Sequence, residues 1–260
     1  MKLSNYPSQI ASLSLLACLG LTSSACSGSS QKPDPGALQE DGSPQEAGGE
    51  KATSKEEVSA IQAAAPKLDP PTPSDLARFT AQFAGDGPLK ASIKTELGTI
   101  HCALFEAQAP VAVANFVGLA TGQKTWIDPS TGHEKHDTPF YDGTGFYRVI
   151  PHFFIQAGDP TLTGVGGPGY LLPDEISDEL SHAMPGTLSM ANRGKPDSAG
   201  SQWFITVAPI PHLNGRHTIF GQCDDLQVIR SIATVPTGPD DRPHEPPKIL
   251  NIQFSRGAAN

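Results

Sequence analysis

Sixteen of the seventeen aromatic residues in this chain lie at Phe79 or beyond. A fold must bury large apolar side chains to offset the entropy lost on ordering the backbone. That distribution confines a packed core to the C-terminal part of the 260 residues. Residues 27 to about 75 contain no Phe, Tyr or Trp, and they hold four Lys against nine Asp or Glu. With little to bury and net negative charge, the stretch reads as a disordered tether rich in Pro, Gly and Ser, placed over residues 27–87. A flexible chain of about 50 residues spans about 40 Å r.m.s.. Helical character at residues 56–65 is cut off by Pro66, Pro70, Pro71 and Pro73. Ser74 or Asp75 suits the N-cap of a short helix near 75–84 that carries Leu76, Phe79 and Phe83 on one face. Much of the net charge of −9 belongs to the tether. An acidic chain is also a poor partner for nucleic acid phosphates. Charged residues make up only 17 %, which excludes a coiled coil or a long helical rod.

The N-terminus reads as an export signal. Lys2 gives a positive start, residues 10–21 form a 12-residue apolar run, and Ser23, Ser24 and Ala25 precede Cys26. Such a run closed by small residues is the secretory pattern, and it is shorter than the ~20 residues a spanning helix needs. The segment resembles a bacterial lipoprotein signal, with Cys26 as the lipidated residue. Ser23 stands where that motif prefers Leu. Leu15-Leu16-Ala17-Cys18 meets the preference but leaves a very short apolar run. The expectation is a protein exported to the bacterial envelope or periplasm and held on a membrane by lipid.

Residues 88–260 read as short strands with two helices. Residues 91–95 and 99–104 flank Glu96-Leu97-Gly98, a hairpin signature. Pro110 opens a helix with Val113, Phe116, Val117 and Ala120 at helical spacing, closed by Thr121-Gly122. Strands are expected at 145–150, 186–190, 203–207, 218–222 and 249–254. Asp224-Asp225 would cap a second helix at 226–233. Many short strands between turns suggest a barrel or sandwich. Cys102 and Cys223 suit a disulfide in an oxidising compartment and suit two buried free thiols equally well.

Two stretches carry more specific information. The first is Phe146-Tyr147-Arg148-Val149-Ile150-Pro151-His152-Phe153-Phe154-Ile155-Gln156-Ala157-Gly158-Asp159. The second runs through Leu188-Ser189-Met190-Ala191-Asn192, Gly200-Ser201-Gln202-Trp203-Phe204-Ile205 and His212-Leu213-Asn214-Gly215-Arg216-His217. In this order and spacing they resemble the cyclophilin family of peptidyl-prolyl cis-trans isomerases, over nearly all of residues 90–254. The resemblance implies a mainly β fold, a closed eight-stranded antiparallel barrel capped by two helices. It implies catalytic roles for Arg148, Gln156 and His217. It places substrate against Phe153, Phe154, Met190, Ala191, Asn192, Gln202, Phe204, His212 and Leu213. Gln156 would orient Arg148, and Asn192 would hold the substrate chain through backbone groups. The family acts on proline-containing peptides and folding proteins, as a monomer and without a metal or cofactor. A non-catalytic proline-binding chaperone or scaffold module is the alternative.

The residues support that reading on their own terms. An Arg among apolar neighbours is costly unless paired or used; a structural partner is the plain alternative. Rotation about an amide faces a barrier of about 18–20 kcal/mol. In the twisted transition state the proline nitrogen regains a lone pair, and a fixed donor binds that state better than either planar one. Arg148 supplies a permanently charged planar fork of N–H groups. The sequence also departs from the family pattern. His212 stands where many eukaryotic members have a Trp that contacts cyclosporin, Phe154 where Met is common, and Arg193 where a small residue is common. Arg193 would favour acidic neighbours of the proline. Residues 126–139 (WIDPSTGHEKHDTP) form an insertion, read as an exposed loop rather than a metal site at His133 and His136. Residues 164–169 are glycine-rich but lack the context of a phosphate loop.

Overall fold

The structure, a computed structural model, describes residues 53–257. The expected signal, Cys26 and Cys18, and the first part of the tether lie outside the described residues.

Order begins well before residue 88. Helix α1 (Lys55–Ala64) starts at a capping box in which Ser54 and Glu57 satisfy each other's backbone amides. Its Val58 is fully buried. Helix α2 (Pro73–Thr80) caps on Thr72, with Asp75 as the third helical residue rather than the cap. The Asp75 carboxylate accepts from the Thr72 amide at 2.8 Å and pairs with Arg78 at 2.6 Å, which together hold its pKa down at about 2. Residues 53–87, expected as a disordered tether with helical character at 56–65 and a short helix near 75–84, are thus ordered around helices at those two places.

Strands β1 (Leu89–Thr95) and β2 (Gly98–Leu104) form the expected hairpin, with Gly98 at φ 133° in the turn. Helix α3 (Pro110–Thr121) is buried on every side from Val111 to Ala120 and apolar but for Asn115. Its ring-bearing residue Phe116 lies within 5.4–5.9 Å of Tyr141, Trp203, Phe220 and Phe254. The free amides at its start are taken by the Glu175 carboxylate, at 2.9 Å from Val111 and 2.8 Å from Ala112. Phe79 of α2 lies against Gly118 of α3, where an added Cβ would come within 2.7 Å of the ring. The 126–139 insertion is a small hairpin, β3 (Trp126–Ile127) and β4 (Glu134–Lys135), with both β3 side chains buried.

The remaining strands are β5 (Arg148–Ile150), β6 (Phe154–Ala157), β7 (Thr187–Met190), β8 (Trp203–Thr206), β9 (Ile219–Cys223) and β10 (Ile249–Arg256), with helix α4 (Leu226–Ala233) between β9 and β10. Strand β6 was not expected. Asp225 precedes α4, but its carboxylate goes to the His101 amide at 2.6 Å and the ring at 2.9 Å rather than to the helix. The eight-stranded sheet runs in the order β10-β1-β2-β9-β7-β8-β6-β5, with every pairing antiparallel. The sheet is the expected eight-stranded antiparallel one, closed less tightly than expected, because its edge strands β10 and β5 are not paired along their length. They are drawn together at one end, where Gly143, Phe146 and Ile249 bond to Ile249, Pro247 and Thr144. Cys102 and Cys223 face each other across β2 and β9 and are joined by a disulfide.

Candidate active site

Strand register assembles the site. Arg148 on β5 stands opposite Gln156 on β6, Gln156 opposite Phe204 on β8, and Phe204 opposite Ser189 on β7. Directly opposed residues share a face, so these four form one row across the outside of the sheet. The alternate row of Val149, Ile155, Ile205 and Leu188 points inward and is fully buried. An apolar cluster separate from the barrel core lies on the outer face: Phe154, Phe204 and Ile210, joined by Ile150, Phe153, Ala191 and Leu213. It offers an apolar bed for a ring.

Arg148 lies at the edge of this bed, with its guanidinium carbon 5.2 Å from the centre of the Phe154 ring. Among the described residues its carboxylate partner is Asp241 at 3.5 Å, and both side chains are 43 % exposed. A long, exposed pair of this kind binds weakly, so most of the donors of Arg148 remain available. Gln156 does not bond to Arg148, contrary to expectation. It donates instead to the Tyr147 hydroxyl and to Gln202 Oε1 at 3.2 Å. The Tyr147 hydroxyl donates to the same oxygen at 2.5 Å. Burial pushes the Tyr147 pKa up, so it stays protonated and a donor. Gln202 donates in turn to the carbonyls of Gly164 at 3.1 Å and Gly166 at 2.8 Å. Gln156 is thus fixed by a polar network beside Arg148 rather than by it.

His217 stands edge-on to Phe204, 5.3 Å between ring centres at 90°. Its Nδ1 lies 3.0 Å from the Met190 carbonyl oxygen. That carbonyl is the contribution of Met190: its side chain belongs to the barrel core and is 2 % exposed, which corrects its expected place against substrate. His212 stacks on Phe153 at 5.4 Å and 11°. Asn192 donates to the Arg216 carbonyl at 2.8 Å and accepts from the Gly194 amide at 3.1 Å, so its side chain is committed to the surrounding loops.

Three residues escaped the sequence reading: Tyr147, Asp241 and His182. His182 is fully buried under Phe204, stacked at 5.9 Å and 14°. Its Nε2 meets Ser189 Oγ at 2.8 Å and its Nδ1 meets Asn214 Oδ1 at 3.0 Å. A lone His in a polar loop gives no periodic signal; only the folded loop brings it beneath the site.

Burial lowers the pKa of both His182 and His217. Their folded values lie below the unfolded value of about 6.5, so the folded state binds fewer protons. The stability these rings contribute is present above pH 6.5 and is lost as pH falls. Ring-proton NMR is expected to show both titrating below 6.5, with a lower unfolding midpoint at pH 6 than at pH 7. A ring titrating above 6.5, or a midpoint that rises on acidification, overturns this.

A groove of about 1110 Å³ adjoins Arg148, Gln156 and Gln202 but not the Phe154–Phe204 bed. It continues along residues 163–171 to α1. His136 bonds to Thr125 and pairs with Glu134, and no group of three or more potential metal ligands occurs among the described residues.

Comparison with known proteins is consistent across sequence and structure. A family model described as cyclophilin type peptidyl-prolyl cis-trans isomerase/CLD matches residues 90–254. Peptidyl-prolyl cis-trans isomerase B of Streptomyces anulatus is 49 % identical over 168 residues, covering 63 % of this chain and 95 % of that protein. Peptidyl-prolyl cis-trans isomerase A of Mycobacterium tuberculosis is 48 % identical over 168 residues, covering 64 % and 91 %. A cyclophilin-type isomerase of Cryptosporidium parvum superposes with a TM-score of 0.57 at 33 % identity, covering 65 % of this chain and 99 % of its own.

Proposed function

Because this chain belongs to the cyclophilin-type peptidyl-prolyl cis-trans isomerase family and is an isomerase of X–Pro bonds, we propose that the row Arg148, Gln156 and Phe204 is where it turns them, in proteins exported to the bacterial envelope. The observation that carries the site assignment is the register. One row across β5, β6 and β8 sets a permanent cation, a fixed amide and an apolar ring side by side on the outer face. The related Cryptosporidium structure was also determined in the presence of the dipeptide Ala-Pro, which supports a short X–Pro segment as the ligand.

The chemistry follows from the geometry. The proline ring lies on Phe154, Phe204 and Leu213, which removes water from around the rotating bond. Low local polarity strengthens each remaining electrostatic contact. As the bond twists, conjugation is lost and the nitrogen gains a lone pair; the Arg148 guanidinium donates toward it. No bond is cleaved, and no proton need leave the enzyme. Gln156, locked by Tyr147 and Gln202, offers the substrate backbone a polar partner that needs no reorganisation. His217 and His182 stay neutral near pH 7 and hold the Phe204 ring from the edge and from below.

The cellular setting rests on the sequence of residues 1–26 and on the disulfide, which suits an oxidising compartment. The enzyme would act as a monomer on a lipid anchor at Cys26, reaching folding chains near the membrane. Cys26→Ser in the full chain is expected to move it from the detergent phase to the aqueous phase on partitioning. Unchanged membrane association rules out Cys26 as the attachment point.

A further inference from the structure

We propose that α1 and the segment after it form a second substrate subsite, continuous with the catalytic row, that takes acidic side chains flanking the proline; this rests on the assignment of catalysis to Arg148.

The wall in question lies outside the 90–254 family match. It is built into the domain. The Gln62 amide, in the orientation that satisfies both its atoms, donates to the Val165 carbonyl at 3.1 Å and accepts from the Gly167 amide at 2.7 Å. The Leu68 amide donates to the Gly169 carbonyl at 3.3 Å. Together with the burial of Val58, these contacts fix α1 across from the glycine-rich loop and leave the groove of about 1110 Å³ between them. Arg148 and Gln156 also line that groove, so a peptide whose proline lies at Arg148 has its neighbours beside it.

The lining charge is opposite to that of the chain as a whole. Lys55, Lys67, Arg148, Arg193 and Arg242 face the groove, against Asp240 and Asp241. Asp241 is already engaged with Arg148, and Arg242 donates to the Thr163 carbonyl at 2.8 Å. Lys55, Lys67 and Arg193 are exposed and make no ion pair among the described residues. Three unpaired cations around one cleft, in a chain of net charge −9, attract a carboxylate and repel a cation. Exposed charges interact modestly and are screened by salt, so the preference is one of degree, and it acts on binding rather than on the twisting step.

The test uses the full chain and short peptides with one X–Pro bond, carrying Glu, Gln or Lys within four residues of the proline on either side. For wild type, kcat/KM is expected to be about tenfold higher for the best Glu peptide than for its Lys counterpart, mainly through KM, and the gap should narrow in high salt. Lys55→Glu with Lys67→Glu should abolish or invert that order and leave the Gln peptide unchanged. The variant should fold, because Lys55 is the first residue of α1, where a carboxylate favours the helix. Equal rates on Glu and Lys peptides, or wild-type ordering in the variant, overturn the subsite. If Gln-peptide turnover does not depend on Arg148, the catalytic assignment fails and takes the subsite with it.

Discussion

Arg148→Ala is expected to lower kcat/KM on a neutral X–Pro peptide by about 10²–10³-fold, in line with removal of one fixed donor aimed at developing charge. The side chain lies outside the barrel core, on the face opposite fully buried Val149, so the loss should appear in rate and not in the unfolding midpoint. The partner Asp241, at 3.5 Å, does not hold the arginine rigidly. Arg148→Lys keeps the charge and loses the planar fork, and should fall between wild type and the Ala variant. The loss should sit in kcat, because the donor's new partner exists only in the twisted state. A single-bond peptide assay coupled to isomer-specific detection reads this directly. Wild-type kcat/KM in Arg148→Ala would move the donor role elsewhere, with Gln156 the nearest alternative in the same row.

The row itself was legible in the sequence only through the family pattern. Gln156 follows Arg148 by eight residues but Phe204 lies 48 further on, and no local periodicity ties the three together. Strand β6 shows why. Phe154–Ala157 is buried on both faces, one against the core and the other beneath the substrate bed. Its sequence therefore lacks the period-two alternation of a half-buried strand. The β1–β2 hairpin was legible because one face is wet and Gly98 supplies the turn. Helix α1 was legible only as helical character at 56–65, and its place in the domain was hidden for the opposite reason. Composition averaged over a long acidic stretch hid one local signal, Ser54 three residues before Glu57, and one apolar contact, Val58. Asp241 and His182 come from loops whose route depends on tertiary packing, so their roles could not be read before the fold was known.

Removing the disulfide is expected to cost about 2–5 kcal/mol of stability while leaving catalysis at 25 °C nearly unchanged. The bond joins residues 121 apart in sequence, with Cα atoms 3.9 Å apart on neighbouring strands. The loop it closes contains α3 and the site residues from Tyr147 to His217, leaving only Asp241 of the site outside it. A closed loop of that length removes more entropy from the unfolded chain than a short one, about 5 kcal/mol at the upper end of the chain-entropy account. Both cysteines are at most 2 % exposed, so Cys102→Ala with Cys223→Ala tests the bond more cleanly than added reductant. The unfolding midpoint should fall by about 5–20 °C for a domain of this size. Activity should hold below the new midpoint, because the catalytic row is set by the ladders among β5, β6, β7 and β8, which the β2–β9 bridge does not touch. A midpoint unchanged in the double variant would mean that the unfolded chain is no freer without the bond. The argument from the disulfide to an oxidising compartment would then lose its energetic basis, and the export reading would rest on residues 1–26 alone.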